Sequence, residues 1–147
     1  YIYGYKPIIL TTMAYKIIDV EGIGPAYAEK LIAAGISTAE ELLEKCAAPK
    51  GRKELAEATG IPEKLVLKWT NHADMYRIRG IGPQFAELLE ASGVDTVKEL
   101  SHRVAANLAA KVAEVNAEKK LVGRVPVESE IQKMIDEAKT LPGVITY

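Results

Sequence analysis

The chain has 147 residues, a mass of 16.0 kDa and a formal net charge of −1. This length can bury a sizeable core, and the 48% hydrophobic content excludes a wholly disordered chain. The near-neutral charge argues against a dedicated nucleic-acid binder, because most such proteins carry a basic excess. No apolar run approaches the ~20 residues of a membrane span. Cys46 is the only cysteine, so no internal disulfide forms, and composition indicates no compartment.

The first twelve residues, YIYGYKPIILTT, have the alternating and apolar pattern of a strand. Their large side chains are Tyr1, Tyr3, Tyr5, Ile8, Ile9 and Leu10. Two interpretations stay open. The segment is an expression remnant or leader, or it is an assembly segment that contacts another subunit or the chain's own C-terminal end. The second is favoured because soluble monomers avoid exposed apolar patches.

A repeat organises the middle of the chain. Residues 22–42 and 80–100 align without gaps and are identical at twelve of twenty-one positions. Each copy begins with Gly-Ile-Gly-Pro, in which glycine permits a tight turn and proline suits the first position of a helix. Self-similarity at a fixed offset marks a duplicated supersecondary unit. The isoleucines of the two turns, Ile23 and Ile81, are expected to enter the core.

Helix boundaries follow from capping signals. Thr38 with Glu41, and Thr96 with Glu99, have the spacing of capping boxes. Helices are predicted over residues 25–34, 38–45, 50–58, 62–75, 83–92, 96–103, 105–120 and 127–139. The tail LPGVITY is β-prone and is predicted to form a short strand.

These elements predict an all-α fold. It consists of an extended segment (1–12), a domain in which a unit of helix, hairpin turn and helix occurs twice (13–121), and a C-terminal helix with a short strand packed on that domain (122–147). The two copies are expected to share one core around a pseudo-twofold axis. Helical spacing places eight residues in that core: Ile23, Leu31, Leu42, Leu65, Trp69, Ile81, Leu89 and Leu100.

The stretches EGIGPAYAEKL and RGIGPQFAELL resemble the hairpins of the helix-hairpin-helix superfamily. From about Met13 onward the chain is similar to a bacterial family of unknown function built from tandem motifs of this kind. The superfamily resemblance implies contact with the DNA backbone without sequence reading. Carried over to this chain, the contacts would fall on Gly22, Ile23, Gly24, Gly80, Ile81 and Gly82.

The charges beside the turns depart from that pattern. Asp19, Glu21 and Glu29 surround the first turn, and acids weaken binding to phosphate. Arg77 and Arg79 precede the second turn, so the second turn is expected to carry any DNA binding, which would be weak. Other basic residues alternate with acids, as on a solvated helix surface.

No motif indicates catalysis. His72, His102 and Cys46 have no metal-ligand spacing, and no phosphate-binding loop with Gly-Lys-Ser/Thr is present. Cys46 is expected to be a buried residue at a helix end. We therefore expect a non-enzymatic protein without catalytic residues, metal or cofactor, although a group assembled only in space would escape this reasoning.

Two functions remain. The first is a structural or assembly module that binds protein and forms homo-oligomers through its extended ends. The second is sequence-independent DNA binding through the two glycine turns.

Overall fold

The computed structural model describes residues 15–147, and this range contains eight α-helices and no β-strand. The helices are α1 (Pro25–Ala33), α2 (Ala39–Cys46), α3 (Pro49–Thr59), α4 (Glu63–Met75), α5 (Pro83–Ala91), α6 (Val97–Ser101), α7 (Ala105–Lys119) and α8 (Glu128–Thr140). A short 3-10 helix, Ile17–Asp19, precedes α1. The all-α prediction is confirmed, and predicted helix ends differ from these by at most two residues. None of the described helices has the length and apolar character needed to cross a membrane.

One predicted capping box is complete and the other is half-formed. Thr38 Oγ1 accepts a hydrogen bond from the Glu41 N–H at 3.1 Å, and Glu41 Oε1 accepts one from the Thr38 N–H at 3.1 Å. Thr96 Oγ1 likewise accepts from the Glu99 N–H. The Glu99 carboxylate instead accepts from Arg103 Nε at 3.1 Å, so the reciprocal bond is missing. The Glu99 carboxylate is therefore engaged in an ion pair with Arg103, one helical turn further along the chain.

Helix α4 lies at the centre of the fold and contacts α2, α3 and α5. Every residue of its second half, from 69 to 75, is buried, which is the pattern of a helix enclosed on all sides, and the burial continues to residue 78. Seven predicted core residues are buried in a single cluster. Leu65 is the exception, because it is only partly buried. Val66 is fully buried, so α4 turns Val66 rather than Leu65 into the core.

The C-terminal helix α8 packs against α6 and α7. The predicted short strand after it is absent from the described residues, and the tail has no strand partner there. Arginine side chains hold the tail instead: Arg52 Nη2 donates to the Thr146 carbonyl at 2.7 Å, and Arg77 Nη2 to the Pro142 carbonyl at 2.8 Å. One main-chain bond runs from the Thr146 N–H to the Ala47 carbonyl at 2.8 Å, and Leu141, Val144 and Ile145 of the tail pack against the core.

The predicted assembly segment lies outside the described residues. This applies to all six of its large side chains: Tyr1, Tyr3, Tyr5, Ile8, Ile9 and Leu10. Its contact with another subunit stays a prediction.

Candidate functional site

The two glycine turns have the same local backbone. Gly22 and Gly80 both have φ of +91°, a conformation that glycine adopts without strain. Ile23 and Ile81 donate their N–H groups to the carbonyls three residues earlier, at 3.0 and 3.2 Å. Both isoleucine side chains are buried, as the sequence predicted. Each turn therefore anchors itself in the core and presents its glycines outward.

Their surroundings differ. A Cβ atom on Gly82 would lie 3.1 Å from the Tyr15 hydroxyl oxygen, and one on Gly80 would lie 3.3 Å from Met134 Cε of α8. Around Gly24, no described heavy atom lies within 4 Å of the equivalent position. A Cβ atom on Gly22 would lie 3.5 Å from Trp69 Nε1, so the first glycine of each turn meets its own chain. The two turns differ at their second glycine, which is close to Tyr15 at Gly82 and open to the described residues at Gly24.

Arg77 was expected to help the second turn bind DNA, and this prediction is wrong. The Arg77 side chain is fully buried, and its Nη1 donates to Asp74 Oδ1 at 2.7 Å. Its Nη2 donates to the Pro142 carbonyl. A guanidinium whose two terminal nitrogens bind inside the protein is not available to phosphate. Arg77 is a structural residue that ties α4 to the C-terminal tail.

Arg79 is exposed but lies beside acids of α8. Its backbone N–H donates to Glu137 Oε1 at 3.1 Å. Arg79, Glu130, Lys133, Met134 and Glu137 line a shallow hollow of about 300 Å³. The hollow combines two cationic side chains, Arg79 and Lys133, with two carboxylates, Glu130 and Glu137, so it is not a strongly positive surface.

A larger groove, of about 480 Å³, lies on the other side of the second turn. Gly80, Gly82 and Phe85 form one wall, and residues 121–124 form the other. Arg124 contributes the cationic side chain of this groove, but its Nη2 lies 2.8 Å from Glu130 Oε1. The groove therefore places the N-terminus of α5 near one arginine, Arg124, whose charge is already paired with Glu130.

The surface around the first turn is acidic and partly apolar. Asp19, Glu21 and Glu29 are exposed, and none has an ion-pair partner within residues 15–147. Lys30 is the one cation among residues 18–32, so three acids against one lysine leave two excess negative charges. Two large apolar side chains are exposed on the flanking elements. Ile18 of the 3-10 helix is 44% exposed and Ile32 of α1 is 53% exposed. We call the exposed side chains of residues 18–32 the first-turn face.

A polar cluster between α4 and α5 was missed by the sequence analysis. His72 Nε2 lies 3.2 Å from Glu90 Oε1 and 3.8 Å from Glu87 Oε1. Lys68 Nζ lies 2.5 Å from Glu90 Oε1 and 3.5 Å from Glu87 Oε1. The four residues are spaced one helical turn apart on two helices. Only the packing of α4 on α5 joins them.

The charges of this cluster stabilise one another. Burial disfavours the charged form of Glu90, but hydrogen bonds from His72 and Lys68 outweigh this and lower the pKa of the Glu90 carboxyl. Burial also disfavours the Lys68 ammonium, yet the bonds to Glu90 and Glu87 raise the pKa of Lys68. His72 Nδ1 is buried and has no hydrogen-bond partner among the described residues.

Cys46 is buried at the end of α2, as predicted. Burial raises the pKa of its thiol to about 11, so the thiol stays protonated at neutral pH. This environment is that of a packing residue and not of an activated nucleophile.

A family model described as "Domain of unknown function (DUF4332)" matches residues 21–141. The match covers both glycine turns and extends through α8, and the chain belongs to this family. No curated protein and no solved structure matches the chain.

Proposed function

We propose that this member of the DUF4332 family is a non-enzymatic assembly module that binds protein through its first-turn face. The observation that carries the proposal is the difference between the two turns. The second turn packs against Tyr15 and Met134 of its own chain, whereas no described atom approaches Gly24. The second glycine of the turn is covered by the chain at Gly82 and not by any described residue at Gly24, and this difference suggests that a partner covers Gly24.

We further propose that the partner is the N-terminal segment, residues 1–12, of a second copy. That segment carries Ile8, Ile9 and Leu10 in succession, together with Lys6 and no acid. The first-turn face offers exposed Ile18 and Ile32 together with excess negative charge. Apolar contact would supply the affinity, and opposite charge would favour the correct pairing.

The arginines support protein binding over DNA binding. Four of the five arginines donate hydrogen bonds to partners within the chain: Arg52, Arg77, Arg103 and Arg124. Arginine and lysine contacts to phosphate dominate affinity for DNA. The arginines therefore offer little to a duplex, and the exposed lysines are offset by acids in a chain whose net charge is −1.

Weak, sequence-independent DNA binding is the second candidate. The groove beside Gly80 and Gly82 favours it, because this groove joins a helix start to a cationic side chain, Arg124. Both turns also have the glycine conformation expected from the resemblance to helix-hairpin-helix proteins. Arg79→Glu with Arg124→Glu tests this candidate, because both side chains are exposed and neither change disturbs the buried Arg77.

The test of protein binding is the mass of the full chain, measured by light scattering at increasing concentration. Ile32→Glu should abolish the growth in mass, since it places a charge in the contact. Val104→Glu is the matched control, because Val104 is 61% exposed and lies outside the first-turn face. A mass that grows equally in both variants would contradict the assigned surface.

A further inference from the structure

We propose that His72, Glu87 and Glu90 form a binding site for a divalent transition-metal ion of the zinc class. This site is independent of the protein-binding proposal, because it lies between α4 and α5 and shares no residue with the first-turn face. Imidazole nitrogen and carboxylate oxygen are ligands that zinc accepts.

The distances between the ligand atoms suit a small ion. His72 Nε2, one Glu87 oxygen and one Glu90 oxygen all lie within 4.8 Å of one another. The two distances from His72 Nε2 are 3.2 and 3.8 Å. Tetrahedral zinc with bonds of ~2.0–2.2 Å separates neighbouring ligands by about 3.3–3.6 Å. Small rotations of the glutamate side chains would therefore complete three corners of a tetrahedron and leave the fourth corner open.

The site has one fixed ligand and two adjustable ones. His72 is 1% exposed on the central helix α4, so its ring is held by packing. The Glu87 and Glu90 side chains on α5 are 29% and 26% exposed. An ion can therefore reach the carboxylates from solvent and then bind the buried imidazole.

Lys68 acts as an internal competitor for this ion. Its ammonium lies against both carboxylates, at the position that a bound cation would take. Because the Lys68 side chain is 32% exposed, it can swing into solvent when the ion binds. A divalent ion would then neutralise both carboxylates, which the single charge of Lys68 does not. Removing Lys68 should therefore strengthen metal binding. If the cluster only stabilised the fold, removing Lys68 would create no affinity for the ion.

The second nitrogen of His72 limits the affinity. Coordination through Nε2 leaves the proton on Nδ1, which is buried without an acceptor among the described residues. Metal-bound histidines usually donate this proton to a carboxylate or carbonyl, and loss of such a partner weakens binding by roughly 10–100-fold. We therefore expect binding weaker than that of a structural zinc site.

The test is calorimetric titration of the full chain with ZnCl₂, supported by the visible absorption of Co²⁺, which reports tetrahedral coordination. Glu87→Gln and Glu90→Gln should each weaken zinc binding by at least the roughly tenfold that follows loss of a partner of a metal ligand. Lys68→Met should strengthen it, because it removes the competing cation. His102→Asn is the matched control, because His102 is exposed and distant in sequence, and it should leave binding unchanged.

His72→Asn should abolish the Co²⁺ absorption, and circular dichroism will establish whether this buried variant folds. The glutamine variants keep the proposal testable if it does not, since Glu87 and Glu90 are partly exposed. Absence of zinc binding in Lys68→Met, or equal binding in the wild type and both glutamine variants, would overturn the proposal.

Discussion

Arg77 Nη1 lies 2.7 Å from Asp74 Oδ1, and both side chains are buried in the middle of the fold. The second Asp74 oxygen accepts the Val97 N–H at 2.8 Å, at the start of α6. Arg77 Nη2 reaches the Pro142 carbonyl of the tail. This one ion pair therefore joins α4, α6 and the C-terminal tail. The position of Arg77 just before the second turn is explained by this structural role, and its buried guanidinium is not available to a ligand.

Loss of Arg77 should destabilise the protein strongly. Arg77→Ala leaves the buried Asp74 carboxylate without its charge partner, which costs about 3–5 kcal/mol in comparable pairs. Chemical denaturation measures the change in unfolding free energy. Arg79→Ala is the matched control, and because its side chain is exposed it should change stability by about 0.5 kcal/mol or less. Equal effects of the two changes would show that Arg77 is not a structural residue.

The C-terminal tail should contribute to stability through its carbonyl groups. Removing residues 141–147 deprives Arg52 Nη2 and Arg77 Nη2 of their acceptors in the tail. Hydrogen bonds to charged groups are worth about 1.5–3 kcal/mol each. Thermal unfolding of the truncated chain should therefore show a clear loss of stability.

Tyr147→Ala separates the side-chain contribution of the tail from that of its backbone. The Arg52 guanidinium carbon lies 5.7 Å from the centre of the Tyr147 ring. Removing this contact should cost only about 0.5–1 kcal/mol, because Tyr147 is largely exposed. If the truncation costs no more than Tyr147→Ala, the arginine–carbonyl bonds do not hold the tail.

The two copies of the repeat should contribute similarly to the core. Leu31 and Leu89 are equivalent positions and both are buried. Leu31→Ala and Leu89→Ala should each lower the unfolding free energy by about 2–5 kcal/mol, since each leaves a cavity. Ile32→Ala serves as the control, because this neighbouring side chain is 53% exposed. A small effect at only one of the two leucines would show that the copies are not equivalent in packing.

Stability should fall at alkaline pH because of Cys46. Its folded-state pKa, about 11, lies above the ordinary value of 9.0, because burial disfavours the thiolate. Stabilisation from the buried thiol is therefore complete below pH 9 and is lost as the pH rises toward 11, by at most about 1.4 kcal/mol per pH unit. Burial also raises the pKa of the Tyr76 hydroxyl, which adds to the loss at higher pH.

Unfolding free energies at pH 7.5 and 10 measure this effect. The Cys46→Ala variant should be less stable at both values, because it leaves a cavity, but it should lose less stability between them. Parallel pH profiles of wild type and variant would contradict the assignment to Cys46.

Local signals predicted the fold well. Pro25, Pro83, Thr38 and Thr96 mark helix starts through interactions within four residues of sequence, and such interactions can be recognised without tertiary structure. The duplicated Gly-Ile-Gly turn also reports its own conformation, because a φ of +91° favours glycine wherever it occurs.

The sites depended on contacts distant in sequence. Arg77 and Asp74 have the i,i+3 spacing of an ordinary surface pair, and their bonds to α6 and the tail join residues distant in sequence. His72 and Glu90 are 18 residues apart, so helix packing alone assembles their cluster. Periodicity also failed to show that Val66 and not Leu65 is the core residue. Neighbouring residues differ by about 100° around the helix axis, so a small error in the assumed orientation of α4 changes which side chain enters the core.

The central claim is that this protein forms homo-oligomers through its N-terminal segment and does not act by binding DNA. Its mass in solution tests this claim most directly. Light scattering over a range of concentrations should compare the full chain with a chain lacking residues 1–12, each with and without duplex DNA at ~0.15 M salt. We expect the full chain to grow in mass with concentration, the truncated chain to stay monomeric, and DNA to change neither. Equal masses for the two chains, or a stable complex with the duplex, would contradict the claim.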